Sequence, residues 1–358
     1  MSYESESLLS RGARLQDVRE FVELLGYKKT GITHSKKYGR FEEYYYFDEK
    51  EYRSWIGVLL AIQVKNKSLV VSTRTTVARS FYDLDHQNRT IFQLRKRSGG
   101  NFRTDEGNGR YMRPDSGPPT PAASGCHIAF QRFGDNLIQA KIYLDARTFP
   151  KQYQGKAGEF LAQMGMSPKV LSNNMLLPFL VATLEDHFKS TFVALLRYSA
   201  RKQAFFKGLR LQGDHLVAIS DGESVESQVA ETLPFQRISS IARHFEALDP
   251  KLDLAGFLKK PYRRRKQSLH DLIETLVIAR HSFIHRAQLD LSLTDKKMDD
   301  LVYDLDEAIT RVYKGITSYY SWHFDRGWYL GNRRAAKGFL AQKAQQGAAG
   351  DAPKAARP

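Results

Sequence analysis

The sequence predicts two parts of different class: an α+β module over residues 1–150 and an all-α bundle over 151–330, followed by a disordered basic tail at 331–358. Three observations predict it. Aromatic and β-branched residues cluster in short runs ahead of position 150, the signature of strands. After Phe149-Pro150 the apolar residues instead recur at three- and four-residue steps over long stretches, the signature of buried helix faces. A chain of 358 residues also exceeds what one core usually organises, so two domains are expected.

In the first part, residues 16–25 carry Val18, Phe21, Val22, Leu24 and Leu25 ahead of Gly26, which predicts a short amphipathic helix with a glycine end. Runs at 44–47, 56–64 and 69–72 read as strands, and Lys65-Asn66-Lys67 as the hairpin turn between the last two. Residues 81–97 turn helical, end at Gly99-Gly100 and concentrate charge in Arg95-Lys96-Arg97. The stretch 101–124 is rich in Gly, Pro and Asp and reads as a long surface loop. Its Gly107-Asn108-Gly109 lacks the Lys-Ser/Thr of a phosphate loop. Residues 126–130 and 137–144 read as paired strands around Gly134-Asp135-Asn136.

In the second part, 173–201 is a long helix with Leu180, Leu184, Phe188, Phe192, Leu195 and Leu196 on one stripe and Pro178 near its start. Glu185, Asp186 and His187 interrupt that stripe, either as solvated neighbours of the buried face or with Glu185 or His187 reaching a site on another helix. Leu216 to Ser220, with acidic Asp221-Gly222-Glu223, reads as an inserted strand or loop. Residues 233–248 form a second bundle helix on Ile238, Ile241, Phe245 and Leu248. Lys259, Lys260, Arg263, Arg264, Arg265 and Lys266 put six cations into eight residues around Tyr262. Such a block is either solvated or a holder of RNA phosphates with one stacked base.

The next helix starts at Ser268, an N-cap with Asp271 in the first turn, and buries Leu269, Leu272, Ile273, Leu276 and Val277. Thr294 caps the last helix, 295–320, whose seam is Met298, Leu301, Leu305, Ile309, Val312 and Ile316. Tyr319, Tyr320, Trp322, Phe324, Trp328 and Tyr329 then crowd into eleven residues, as a core or dimer contact rather than a base-stacking platform.

Composition narrows the function. Lys and Arg number 55 against 39 Asp and Glu, and the formal charge of +16 favours an anionic partner, nucleic acid or a membrane surface. One cysteine, Cys126, excludes an intrachain disulfide and cysteine-rich zinc motifs and suits a reducing cytoplasm. No apolar run is long enough to cross a bilayer, and the polar start Met1-Ser2-Tyr3-Glu4 is no signal peptide, so a cytoplasmic protein is expected.

The end of the helix from Ser268 carries Arg280, His281 and His285 directly after a core-facing segment. Basic residues there can simply complement the last carbonyls of the helix. His281 and His285, four apart and on one face, could instead ligate a metal, although no Glu follows His281 and no carboxylate lies within four residues. As a third reading, Arg280 supplies a permanent cation for a phosphate and His285 a group that exchanges protons near neutral pH.

Arg280-His281-Ser282-Phe283-Ile284-His285 resembles the signature of the HEPN (higher eukaryote and prokaryote nucleotide-binding) domains, an Arg and a His separated by four residues with a polar residue after the Arg. The run Leu301-Val302-Tyr303-Asp304-Leu305-Asp306-Glu307-Ala308-Ile309-Thr310-Arg311-Val312-Tyr313 resembles the closing helix of that fold, and the resemblance spans roughly 170–325. It implies a four-helix bundle, pairing of two bundles, and a metal-independent endoribonuclease without a cofactor that leaves 2′,3′-cyclic phosphate ends. By the same resemblance Arg280 neutralises the phosphorane, His285 moves protons, and His281 occupies the polar position, where such families commonly have Asn or Asp. Also implied are a role in phage defence or as a toxin, a trigger sensed by the first module, and an antitoxin. A non-catalytic RNA- or nucleotide-binding module and a DNA-binding regulator are the competing classes.

Overall fold

Alternation sets the sheet. In the computed structural model, which describes residues 2–326 apart from 36–38, 50, 67, 151–155, 157–165, 208 and 264, Val58, Leu60 and Ile62 point inward while Leu59 faces out. These residues lie on β4 (Val58–Lys65), which pairs with β3 (Gly39–Tyr46) and β5 (Ser68–Thr76). The three expected strands are therefore present. Lys65 pairs with Ser68 where the turn is expected, with Asn66 at φ 49°.

Four further strands complete a seven-stranded sheet in the order β2-β3-β4-β5-β1-β6-β7: β1 (Ser2–Leu8), β2 (Lys28–Ser35), β6 (Asn101–Thr104) and β7 (Gly107–Asn108). Every pairing is antiparallel. The segment expected as a loop from 101 thus begins as a hairpin, with Gly107 and Asn108 on its short edge strand. β1 lies inside the sheet although its inward residues are Ser5 and Ser7, which are buried. Ser5 Oγ meets Thr73 Oγ1 at 2.5 Å, and Gln87 donates to Thr73 Oγ1 (3.0 Å) and to the Tyr3 carbonyl (3.1 Å). A polar layer replaces the aliphatic pattern that would have announced the strand.

Two helices cover the sheet. α1 (Leu15–Leu24) buries Val18 and Val22 and gives way to Gly26 at φ 90°. α2 (Phe81–Ser98) starts at a capping box of Ser80 and Asp83 and buries Leu84, Ile91 and Leu94. Asp83 Oδ2 also accepts from the backbone N–H groups of Trp55 and Ile56, which fixes the β3–β4 connection to the start of this helix. At its end Gly100 is required: φ is 93°, and a Cβ there would lie 2.1 Å from the Leu8 carbonyl oxygen.

The two strands expected at 126–130 and 137–144 are one helix, α3 (Pro121–Ala146), capped by Thr120. Cys126, Phe130, Phe133, Leu137 and Ala140 step by four and three and are all buried. The turn propensity of Gly134-Asp135-Asn136 loses to that continuous face, and Gly134 is itself buried inside the helix. The apolar side of α3 belongs to the helical core, and it packs along α4 (Pro168–Tyr198).

The other helices among the described residues are α5 (Lys202–Phe206), α6 (Gly213–Ser220), α7 (Val225–Glu231), α8 (Ile238–Leu248), α9 (Leu254–Lys259), α10 (Leu269–Arg286) and α11 (Asp295–Tyr319). The strand or loop expected at 216–220 is helical, in α6. The helix expected over 233–248 begins at Ile238, because Leu233 to Arg237 includes Pro234 and joins α7 to α8. α4 packs against α3 and α10, and α11 touches both α3 and α10. Pro178 lies inside α4. The tail expected at 331–358 lies outside the described residues, as do Trp328 and Tyr329. No helix among the described residues is long and apolar enough to cross a membrane.

Candidate functional site

α10 is fixed at both ends. Ser268 and Asp271 form a capping box at its start, and the buried Leu269, Ile273 and Leu276 seat its first half. The Glu274 carboxylate accepts from the backbone N–H of Ile238 at 2.9 Å, so α10 also caps the start of α8. At the far end, buried Asn174 of α4 brackets the chain after α10: its Oδ1 accepts from Asp290 N (2.9 Å) and its Nδ2 donates to Asp290 O (3.1 Å). α10 and α4 therefore run antiparallel.

Beyond Leu276 the buried face of α10 runs out. Ile278, His281, Ile284 and His285 are exposed, so the histidines project from the bundle and not into its core. The four-residue spacing places their rings 4.4 Å apart at 44°. Arg280 is half-buried on the side toward α4, and its Nε has no hydrogen-bond partner among the described residues. Glu185 of α4 faces it: burial raises the Glu185 carboxyl above its ordinary range, while Arg280 and Lys189 pull it back down. Its Oε1 also lacks a hydrogen-bond partner among those residues. Arg280 and Glu185 thus face one another between α10 and α4, while His281 and His285 pair on the exposed side of the last turns of α10.

His187 is not part of this cluster. It is buried against α3, its Nδ1 hydrogen-bonded to the Ala129 carbonyl at 3.1 Å and its ring beside Phe133 and Phe188. Burial lowers its pKa to about 4, which keeps the ring neutral. No group of three or more His, Cys, Asp or Glu that could hold a metal occurs among the described residues, so His281 and His285 have no third ligand there.

The basic run splits. Asp304 of α11 is buried; it accepts from the Tyr262 hydroxyl (3.0 Å), pairs with Arg265, and has Arg263 Nη1 at 3.6 Å. Arg263 and Arg265 therefore serve an internal carboxylate that would otherwise be buried alone. Lys259, Lys260 and Lys266 stay exposed, and Arg264 lies outside the described residues. At about 1.5 Å per residue the run sits about 20 Å along α10 from Arg280.

A further cavity, of about 560 Å3, opens where the sheet meets the helices, lined among others by Trp55, Arg79, Phe81, His127, Tyr313 and Trp322. Its wall is tightly built. His127 stacks on Trp55 at 3.7 Å and is hydrogen-bonded to the Tyr313 hydroxyl at 3.0 Å, while Trp55 Nε1 donates to Ser124 Oγ at 2.6 Å. Burial lowers the His127 pKa. The Arg79 guanidinium lies 3.3 Å from the Tyr3 ring centroid and pairs with Asp115. Sequence reasoning misses this place, because its residues come from segments far apart and the local pattern puts residue 127 on a strand. The buried polar side of an apolar helix, His127 beside Cys126 and Phe130, is the signal that could have found it.

Compared with models of protein families, with curated proteins and with solved structures, the chain matches none.

Proposed function

We propose that this protein is a metal-independent endoribonuclease whose α4, α8, α10 and α11 form a HEPN-like bundle, working as a homodimer. The observation that carries the reading is the exposed pair of imidazoles, 4.4 Å apart on the last turns of α10, where Arg280 directly precedes His281 in the chain. In the reaction His285 takes the proton from a ribose 2′-oxygen, which attacks the adjacent phosphorus. The bond to the 5′-oxygen breaks, and that oxygen leaves with a proton from an imidazole. Arg280 stabilises the charge that builds on the non-bridging oxygens, and His281 orients the phosphate. Glu185 positions Arg280 from behind. Exposed Ile278 and Ile284 flank the histidines, and exposed Met175 and Phe179 lie on the adjoining α4, an apolar border suited to a second copy that brings its own Arg and His to a shared cleft.

Incubation of the purified protein with RNA in EDTA is expected to give 2′,3′-cyclic phosphate and 5′-hydroxyl ends, and DNA, lacking the attacking hydroxyl, is expected to stay intact. Arg280→Ala or His285→Ala is expected to slow cleavage by on the order of a hundredfold or more. Unchanged rates would remove this site from the reaction. The competing reading, RNA binding without turnover, is favoured by the exposed lysines near the start of α10 and predicts bound RNA with no cyclic ends. Action as a toxin or in phage defence, with the sheet module sensing a trigger, predicts growth arrest on expression that Arg280→Ala relieves.

A further inference from the structure

A groove of about 570 Å3 runs between α9 and α11, and its lining includes Lys251, Phe257, Lys260, Arg311, Lys314 and Tyr319. Lys251, Lys260 and Lys314 are exposed, and none makes an ion pair with a described residue. The lining carboxylate, Asp253, is already used: its Oδ1 accepts from Gly256 N at 2.8 Å and caps α9. Arg311 shapes the groove. Its Nε donates to Glu307, and its two Nη atoms donate to the carbonyls of Lys260 and Pro261 at 3.1 and 3.3 Å. Fastened in this way, Lys260 holds its ammonium 5.6 Å from the centroid of the Phe257 ring.

The floor is equally specific. Phe257 lies directly on Gly315 of α11, where a Cβ would come within 2.4 Å of the ring. A glycine inside a helix is unfavourable by itself, and here it lets the ring lie against the helix backbone. Tyr319 is held at the other end by donating its hydroxyl to Asp249 at 2.9 Å, and its ring remains partly exposed. Cations along a groove with aromatic faces between them are what a single-stranded nucleic acid requires, since its phosphates repeat while its bases are free to stack. A duplex keeps its bases inside and gains nothing from the two rings.

We infer that this groove holds the sugar-phosphate backbone of single-stranded RNA, with bases laid on Phe257 and Tyr319. The assignment of RNA rests on the nuclease reading above; the groove itself does not require turnover. It also replaces the linear basic run as the holder of phosphate, because Arg263 and Arg265 are committed to Asp304 while Lys260 faces the groove.

The test is binding of a fluorescently labelled unstructured RNA oligonucleotide to the full chain, read by anisotropy across a salt series. Lys251→Ala/Lys314→Ala is expected to lower the slope of log K against log salt by about 1.4, at about 0.7 for each phosphate no longer neutralised. Lys251→Glu/Lys314→Glu is expected to weaken binding at least tenfold, and Lys28→Glu/Lys96→Glu, the same charge change on the sheet module, to leave it within twofold. Tyr319→Ala is expected to weaken single-strand binding and not duplex binding. Equal losses from both charge-reversed pairs would overturn the groove in favour of diffuse attraction, and so would preferential binding of duplex RNA or of anionic phospholipid vesicles. The lysines are exposed, and unchanged thermal melting is the control for folding. If the wild type leaves no cyclic ends while the groove pair still loses RNA, the nuclease reading fails and the groove stands; cleavage with unimpaired binding by the groove pair gives the reverse.

Discussion

His187 and His285 carry the same side chain in opposite surroundings. His187 is shut between α3 and α4 and kept neutral, whereas His285 stands in solvent beside His281. His187→Ala should therefore cost about 2–4 kcal/mol of stability through the cavity it leaves, with turnover per folded molecule unchanged. His285→Ala should leave stability within about 0.5 kcal/mol and abolish most cleavage. Urea melts read beside RNA turnover check both; a stable His187→Ala protein that no longer cleaves RNA would return His187 to the site. Asp304 makes a similar case. Its replacement by Ala strands the Tyr262 hydroxyl and two guanidinium groups, and a loss of about 2–4 kcal/mol is expected in the same melts.

Among the elements, α3 separates local propensity from tertiary preference. Gly134-Asp135-Asn136 is good turn chemistry, yet Phe130, Phe133 and Leu137 form one helical face across it. In a hairpin turn Gly134→Pro would be tolerated; inside a helix it removes a hydrogen bond and clashes with the preceding turn, at about 3 kcal/mol or more. A sharp fall in the thermal midpoint is the expected outcome. β1 is the converse: its inward Ser5 is hydrogen-bonded to Thr73, which Gln87 also reaches, so no apolar alternation marks it. The helices α10 and α11 were legible because their caps, Ser268 and Thr294, and their apolar steps are all local signals.

For the whole molecule, acid is the revealing perturbation. Burial holds His86 and His187 at about 4 and lowers His127, against 6.5 for an ordinary histidine. The unfolded chain thus binds protons that the folded one refuses. The contribution of these residues is complete above pH 6.5 and is lost as pH falls from there toward 4, at about 1.4 kcal/mol per pH unit for each fully buried ring. Lower still, Glu42, held at about 2 by Arg19 and Lys29, adds its own loss between 4.5 and about 2. Urea midpoints are expected to hold between pH 7.5 and about 6.5 and to fall from there to pH 5; a flat profile down to pH 5 would contradict the burial of the three imidazoles.

Whatever depends on near neighbours along the chain was already written in the order of the residues: the start of α10, the helical steps of its core face, and the approach of His281 to His285, which follows from a four-residue spacing on any α-helix. Packing was needed to decide that these two rings face solvent, that His187 turns toward Ala129, and that Arg265 is spent on Asp304. Those outcomes depend on partners 39 to 58 residues away, and side-chain burial is a property of the packed molecule that no local pattern of residues encodes.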